Sequence, residues 1–224
     1  MTTQEFSNEF DVLYNNIMSN AAPGLDEYEK SVFLTNAQDE IVIDLYNGKN
    51  PLGESFESTE EIRRYLSELN KTYTTITKEE GNTGVSEYST FFKLPDDLWF
   101  ITYESVNFED DELKCSNNRT GIPVVPITQD VYHRTKGNPF RKYSEKRVIR
   151  LDSIGNLVEL VSRYNISKYL VKYLSKPTPI ILSDLDSGLS INGISEKTEC
   201  KLNSSLHRAI LERAVDLARV TYKS

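Results

Sequence analysis

The first 70 residues carry apolar side chains at helical spacing in three segments. The three apolar stripes are Phe6, Phe10, Leu13, Tyr14 and Ile17; Phe33, Ala37, Ile41 and Leu45; and Ile62, Tyr65, Leu66 and Leu69. Each segment opens with a capping-box pair: Thr2 with Glu5, Asp26 with Glu29, and Ser58 with Glu61. This pattern predicts helices over residues 3–19, from Asp26 to Asn47, and from Ser58 onwards. Residues 1–70 are therefore predicted to form a helical N-terminal segment.

The pattern changes at about Lys71 to short runs rich in Thr, Tyr, Val, Phe and Ile, separated by Gly or Pro. Six of these runs are predicted to be strands: 72–78, 86–94, 98–107, 146–152, 157–164 and 168–174. A hairpin is predicted at residues 152–156, between two of the strands. Strands that lie so close in sequence favour antiparallel pairing, so residues 71–182 are predicted to form a mainly antiparallel β-rich middle.

The chain closes with a predicted helix over residues 204–221, which follows the polar sequence Asn203-Ser204-Ser205. Apolar residues cover most of its circumference, so it needs neighbours on two sides, and the N-terminal helices are the expected partners. The fold class is therefore predicted to be α+β, with N-terminal and C-terminal helices packed with the sheet. We expect one continuous domain made of residues 1–70, 71–182 and 183–224.

The composition excludes several classes of protein. No run approaches the ~18–20 apolar residues that cross a bilayer, so we expect no membrane. The N-terminal sequence MTTQEFSNEF lacks the basic and apolar regions of a secretory signal. The chain of 224 residues has only two Cys and two His, which argues against a disulfide scaffold or an elaborate metal site.

The net charge of −8 conceals a gradient along the chain. Residues 1–112 hold 7 basic and 24 acidic residues, a net charge of −17, whereas residues 113–224 hold 19 basic and 10 acidic residues, a net charge of +9. One interpretation is two ordinary solvated faces. The other is that the acidic face of one copy meets the basic face of another, a head-to-tail contact that produces a ring or a filament.

Sequence motifs for catalysis or cofactor binding are missing. The chain has no phosphate-binding loop, dinucleotide fingerprint, zinc-protease helix or nucleophile elbow. The four soft ligands, Cys115, His133, Cys200 and His207, show no metal-ligand spacing, so we expect no metal and no cofactor. His207 is interpreted as a capping or packing residue, and His133 falls on a predicted short helix. A small hydrolase that uses one of these histidines remains an alternative.

Residues 132–150, YHRTKGNPFRKYSEKRVIR, combine seven basic residues with three aromatic ones and a single acidic residue. Such a composition is typical of nucleic-acid surfaces, and a nucleic-acid-binding accessory protein is the second alternative. An anchor for another protein is favoured, because the chain as a whole is acidic, because Arg and Tyr are enriched in interface hot spots, and because residues 1–61 offer an acidic partner patch. Asn138-Pro139-Phe140 is predicted to form a rigid turn that presents the aromatic ring. The interface candidates are Arg134, Phe140, Arg141, Lys142, Arg147 and Arg150.

Several longer motifs resemble a known family. They are Pro23-Gly24-Leu25-Asp26-x-Tyr28-Glu29-Lys30-Ser31, Leu34-Thr35-x-Ala37-Gln38, Pro126-Ile127-Thr128 and Asn138-Pro139-Phe140-Arg141. Later in the chain come Tyr169-x₃-Tyr173, Lys176-Pro177-x-Pro179-Ile180-Ile181-Leu182, Cys200-x-Leu202 and Leu206-His207-x₂-Ile210-Leu211-x₂-Ala214-Val215. Together they resemble structural proteins of crAss-like tailed bacteriophages, in particular the ring proteins of the neck and tail. The resemblance covers roughly residues 5–220, and its motifs are packing and turn patterns.

The resemblance implies a non-enzymatic subunit of the virion, assembled in the host cytoplasm. Copies are expected to form a ring, dodecameric like the portal, around the DNA channel between portal and tail. The expected partners are other copies of the chain, the portal and neighbouring ring or tail proteins. Genomic DNA is expected to pass through the channel without sequence-specific binding, which suits an acidic wall because a basic wall would bind phosphates.

Overall fold

The computed structural model describes residues 1–18, 24–49, 53–109 and 120–222. The contacts divide the chain into two compact units. The helical unit comprises Met1–Leu69 and Lys176–Ser224, and the sheet unit comprises Asn70–Ser175. Helices together with a mostly antiparallel seven-stranded sheet confirm the α+β class. The predicted segment bounds at residues 70 and 182 stay predictions.

The elements follow one another in a simple order. The helices are α1 Thr3–Met18, α2 Glu27–Asn47, α3 Glu60–Tyr65, α4 Gln129–Thr135 and α5 Ser204–Tyr222, with a 3₁₀ turn at Ser67–Leu69. The strands are β1 Asn70–Thr75, β2 Ser89–Lys93, β3 Leu98–Phe108, β4 Ile122–Pro126, β5 Val148–Asp152, β6 Leu157–Val161 and β7 Ile166–Ser175. All six predicted strands are present, and β4 is an additional one.

Local capping explains where α1 and α2 begin. The Glu5 amide donates to the Thr2 hydroxyl at 3.3 Å, and the Thr2 amide donates to the Glu5 carboxylate at 2.8 Å. Asp26 and Glu29 form the same reciprocal pair at the start of α2, at 2.7 and 3.1 Å. These bonds satisfy amide groups that have no partner inside the helix, so both predicted capping boxes are confirmed.

The third predicted capping box, Ser58 with Glu61, is wrong. The Ser58 hydroxyl accepts a hydrogen bond from the Ser55 amide at 2.7 Å and donates to the Ser55 carbonyl at 2.9 Å. Helix α3 begins one residue later than this box requires, with Thr59 as its N-cap and no side-chain capping bond. A serine hydroxyl that closes its own turn is no longer free to cap the next helix.

Helix α2 buries a different face from the one predicted. Phe33 and Ile41 are only half-buried, whereas the polar residues Thr35 and Gln38 are buried. The Gln38 side-chain amide donates to the Thr178 carbonyl at 2.9 Å, and Thr35 bonds both backbone groups of Ile180. The segment after β7 therefore pairs its backbone with polar side chains of α2, and this turns Phe33 away from the core.

Helix α5 packs against both α1 and α2. Its buried face consists of Leu206, His207, Ile210, Leu211, Ala214, Val215 and Ala218. Two ion pairs cross at the margins of this contact, from Arg208 to Glu9 at 3.2 Å and from Arg213 to Glu40 at 2.7 Å. Part of the charge gradient along the sequence is therefore neutralised within the helical unit itself.

The strand order in the sheet unit is β1-β7-β3-β4-β5-β6-β2. Every neighbouring pair is antiparallel except β4 and β5, which run parallel. The hairpin predicted at residues 152–156 joins β5 to β6, and Gly155 and Asn156 adopt left-handed conformations with φ of 70° and 58°. Strand β4 was missed because Pro123 and Pro126 enclose its short apolar run, and proline argues against a sheet interior.

Candidate functional site

The strongest candidate among the predicted residues is the segment 132–147, which runs from within α4 to the residue before β5. Its base is fixed by Tyr132, which is only 3% exposed and packs in a cluster with Ile149, Leu151 and Val161. Tyr143 packs against the same cluster, and its ring centroid lies 5.9 Å from that of Tyr88. The packed rings of Tyr132 and Tyr143 hold both ends of the segment on the sheet.

Hydrogen bonds order the turn between these two anchors. The Asn138 side-chain oxygen accepts from the Phe140 amide at 2.9 Å, and the Asn138 carbonyl accepts from the amides of Arg141 and Lys142 at 3.1 and 2.9 Å. The Arg147 guanidinium donates to the carbonyls of Phe140 and Arg141 at 3.2 and 3.4 Å. The predicted turn at Asn138-Pro139-Phe140 is confirmed, and the hydrogen bonds from Arg147 stabilise it.

The ordered turn presents an aromatic ring surrounded by positive charge. Phe140 is 90% exposed, and Arg141 and Lys142, which follow it directly, are exposed as well, as is Arg134 on α4. Residues 134–147 hold six basic residues and one acidic residue, a net charge of +5. We call this part of the surface the basic tip. Its arrangement suits contact with an acidic protein surface that offers an apolar recess.

Arg150, the sixth interface candidate, occupies a different environment. Its side chain is 10% exposed and donates to Glu104, and its Nε lies 3.1 Å from the Asp152 carboxylate. The Tyr169 hydroxyl donates to the other oxygen of Glu104. Burial raises the pKa of Glu104, and Arg150 opposes that shift. The guanidinium therefore serves the interior of the sheet unit, and we leave Arg150 out of the basic tip.

The histidines and the described cysteine show no catalytic arrangement. His207 is 6% exposed, its Nε2 lies 2.9 Å from the Leu202 carbonyl, and its ring packs against Phe6, as expected of a packing residue. Burial lowers its pKa. His133 is exposed on α4, the Cys200 thiol lies 3.4 Å from the Gln38 side-chain oxygen, and Cys115 lies outside the described residues. Over residues 1–18, 24–49, 53–109 and 120–222, no group of acidic, His and Cys side chains could hold a metal ion.

Sequence reasoning missed a groove on the helical unit between α2 and α5, which we call the α2–α5 groove. It is open to solvent and lined by Phe33, Asn36, Asp39, Glu40, Ile43 and Leu217. On α2 these residues follow a helical spacing of three and four, so a second stripe beside the core stripe was the available signal. The predicted core stripe includes Phe33, and this hides the second stripe.

Asp39 is the polar centre of the α2–α5 groove. The Lys176 ammonium lies 3.5 Å from one oxygen of its carboxylate. The other oxygen, Oδ1, is buried and has no hydrogen-bond partner among the described residues. Burial raises the pKa of Asp39, and Lys176 offsets part of that rise. A hydrogen-bond donor brought to this oxygen would relieve an unsatisfied buried acceptor.

Within the part of the chain that the structure describes, no helix is long and apolar enough to span a bilayer.

The comparisons with known proteins agree with the resemblance drawn from the motifs. The family described as "Phage tail ring protein 3/4" matches residues 1–224. "Ring protein 3" of Bacteroides phage crAss001 is 54% identical over 222 residues, covering 99% of this chain and 96% of the relative. "Ring protein 4/5" of the same phage is 40% identical over 234 residues, covering 100% of this chain and 94% of the relative.

Proposed function

The chain belongs to the phage tail ring protein 3/4 family, and from this membership we propose that its copies form a closed ring around the DNA channel between portal and tail. The coarser description, a structural ring protein of a crAss-like phage and hence a virion component, follows from the family itself. The finer proposal adds a dodecameric ring that contacts the portal or neighbouring rings and has no catalytic role.

The observation that carries the proposal is the basic tip. The turn is hydrogen-bonded and exposes an aromatic ring that is followed by Arg141 and Lys142. Such a surface is complementary to an acidic partner surface. The helical unit offers one, because it holds 11 basic and 20 acidic residues, a net charge of −9, against +1 for the sheet unit. The charge of +5 on residues 134–147 and the charge of −9 on the helical unit favour contacts between the tip of one copy and the helices of another. Arg134, Phe140, Arg141, Lys142 and Arg147 form or brace this surface.

The net charge also suits a channel through which DNA moves. A wall with a net negative charge repels phosphates and lets the duplex slide, whereas a basic wall would release counterions and hold it. The overall charge of −8 is consistent with that requirement.

Native mass spectrometry of purified virion tails tests the proposal. We expect one species that contains many copies of this chain in closed symmetry. Finding one or two copies per virion would overturn the ring proposal.

In recombinant protein mixed with the neighbouring tail proteins, Lys142→Glu should weaken assembly. Lys93→Glu, at an exposed position of β2, should not.

The exposed basic and aromatic residues of the tip also support the second candidate, a nucleic-acid-binding accessory protein. The two functions differ in their dependence on salt. Under the ring proposal, single-stranded DNA binds weakly at physiological ionic strength. Tight binding that falls steeply with salt and is weakened by Arg141→Glu would instead favour the accessory function. Fluorescence anisotropy with a labelled oligonucleotide measures both outcomes.

A further inference from the structure

We propose that Phe140 of one copy docks in the α2–α5 groove of the next copy, with Arg141 placed beside Asp39. The inference rests on the proposed function, because it names the two surfaces that meet when copies stand side by side in a ring. It commits to a second copy of the chain as the occupant of the groove.

The exposed ring of Phe140 is suited to docking. A phenylalanine that is 90% exposed leaves its apolar surface in water, yet its turn is held by Asn138 and braced by Arg147. Ordering the turn in advance lowers the entropy cost of docking. Ile154 is 96% exposed as well, but it lies at the tip of the β5–β6 hairpin, where residues 152–156 include no basic residue. Ile154 is therefore the matched control for an exposed apolar side chain.

The lining of the groove suits an aromatic ring. Phe33, Ile43 and Leu217 supply apolar surface, and all three are only half-buried. The edge of the Phe33 ring already meets Tyr222, with centroids 6.3 Å apart, so an incoming aromatic ring would extend an existing aromatic contact. Val220, one turn along α5 from Leu217 and Asp216, is 75% exposed and widens the apolar margin of the helix.

The Asp39 carboxylate in the groove offers an acceptor to an incoming hydrogen-bond donor. Asp39 Oδ1 is buried and has no donor among the residues that the structure describes. The Lys176 ammonium, at 3.5 Å from the other oxygen, is beyond the usual 2.7–2.9 Å of a charge-assisted hydrogen bond. A guanidinium beside the docked ring supplies donors in a planar fork that matches a carboxylate. Arg141 follows Phe140 directly, so the apolar recess and the unpaired acceptor match two adjacent side chains.

The positions of the two surfaces suit a ring. The basic tip lies on the sheet unit and the α2–α5 groove lies on the helical unit, so the two surfaces are different parts of each copy. A contact between different surfaces is heterologous, and its repetition gives a closed ring when the rotation closes. Each copy then supplies one tip and one groove.

Photo-crosslinking tests which surface receives Phe140. The full chain is prepared with p-benzoylphenylalanine at position 140, as a mixture of ¹⁴N- and ¹⁵N-labelled copies, and is irradiated in assemblies identified by native mass spectrometry. We expect mixed-isotope crosslinks to α2 or α5, and none of these from the same amino acid at position 154. Assemblies that crosslink elsewhere, or not at all, would overturn the docking while leaving the ring proposal in place. A chain that never assembles, even with neighbouring tail proteins, would overturn both.

Substitutions measure the strength of the contact. Asn36 is exposed in the groove, so Asn36→Trp fills the recess and should prevent assembly, whereas Asn8→Trp, at an exposed position of α1, should not. Phe140→Ala should weaken association roughly 30-fold, as expected for an interface hot spot, and Ile154→Ala should leave it unchanged. Equal association of the Asn36→Trp variant and the unmodified chain, measured by analytical ultracentrifugation, would overturn the docking.

Discussion

Replacing Arg150 by methionine is expected to lower the free energy of unfolding of the sheet unit by about 3–5 kcal/mol. The magnitude follows from burial, because the side chains of Glu104 and Arg150 are only 4% and 10% exposed. Without the guanidinium, Glu104 keeps the Tyr169 hydroxyl as a donor but loses its buried counter-ion. A single domain is typically stable by only 5–15 kcal/mol, so the loss is a large fraction of the total.

The loss should depend on pH in a direction set by Glu104. Burial raises the pKa of this carboxyl even with Arg150 present, and removing Arg150 raises it further. A carboxyl with a raised pKa in the folded state contributes stability below its unfolded pKa and loses that contribution as the pH rises through its folded pKa. The Arg150→Met penalty should therefore be smaller near pH 4, where Glu104 is protonated, than near pH 7.

Urea unfolding followed by the fluorescence of Trp99 measures this penalty. Trp99 is the only tryptophan of the chain and lies in β3, the strand that carries Glu104. The matched control is Arg163→Met, an exposed arginine, which should cost less than about 1 kcal/mol. If Arg150→Met prevents folding, Arg150→Lys retains the charge and provides a measurable variant. A penalty below about 1 kcal/mol for Arg150→Met near pH 7, or one that is the same at both pH values, would refute the reasoning.

Three further predictions concern the helical unit. Asp26→Ala removes the side-chain acceptor of the α2 capping box and should cost about 1 kcal/mol, whereas Ser58→Ala, at a residue that caps no helix, should cost clearly less; urea unfolding followed by far-UV circular dichroism compares the two. Gly48→Ala places a Cβ atom on the left-handed C-cap of α2 and should cost about 1 kcal/mol by the same assay, so an unchanged midpoint would contradict the strain argument. Burial lowers the pKa of His207, so its stabilising contribution is present above its unfolded pKa of 6.5 and is lost as the pH falls through its folded pKa. His207→Gln should flatten the fall in unfolding free energy between neutral and mildly acidic pH, and an unchanged slope would contradict the assignment.

The features that could be predicted from the sequence depend on contacts between close neighbours. The Asp26–Glu29 capping box and the turn at Asn138 join residues two or three places apart, and both formed as predicted. The buried face of α2 could not be predicted, because Gln38 takes its partner from Thr178, 140 residues away. The polar pattern of α2 gave no sign that the backbone after β7 would lie against it.

The same limit applies to the candidate site. Arg150 belongs to the basic segment in the sequence, but it pairs with the buried Glu104, 46 residues earlier, in the interior of the sheet unit. The α2–α5 groove depends on which face of α2 the helix α5 covers, so it could be found only after the two helices were packed. The exposed ring of Phe140, in contrast, follows from its position after Asn138-Pro139.

Folding also changes which charges can act between copies. Along the sequence the halves differ by −17 against +9, but α5 returns to the N-terminal helices, and Arg208 and Arg213 pair with Glu9 and Glu40. Those pairs are exposed and contribute little stability, yet they reduce the positive charge available to a neighbour. The helical unit keeps a net charge of −9, so the available positive charge is concentrated in the +5 of residues 134–147. Recognition between copies should therefore respond strongly to charge reversal at the basic tip and weakly to charge reversal on α5.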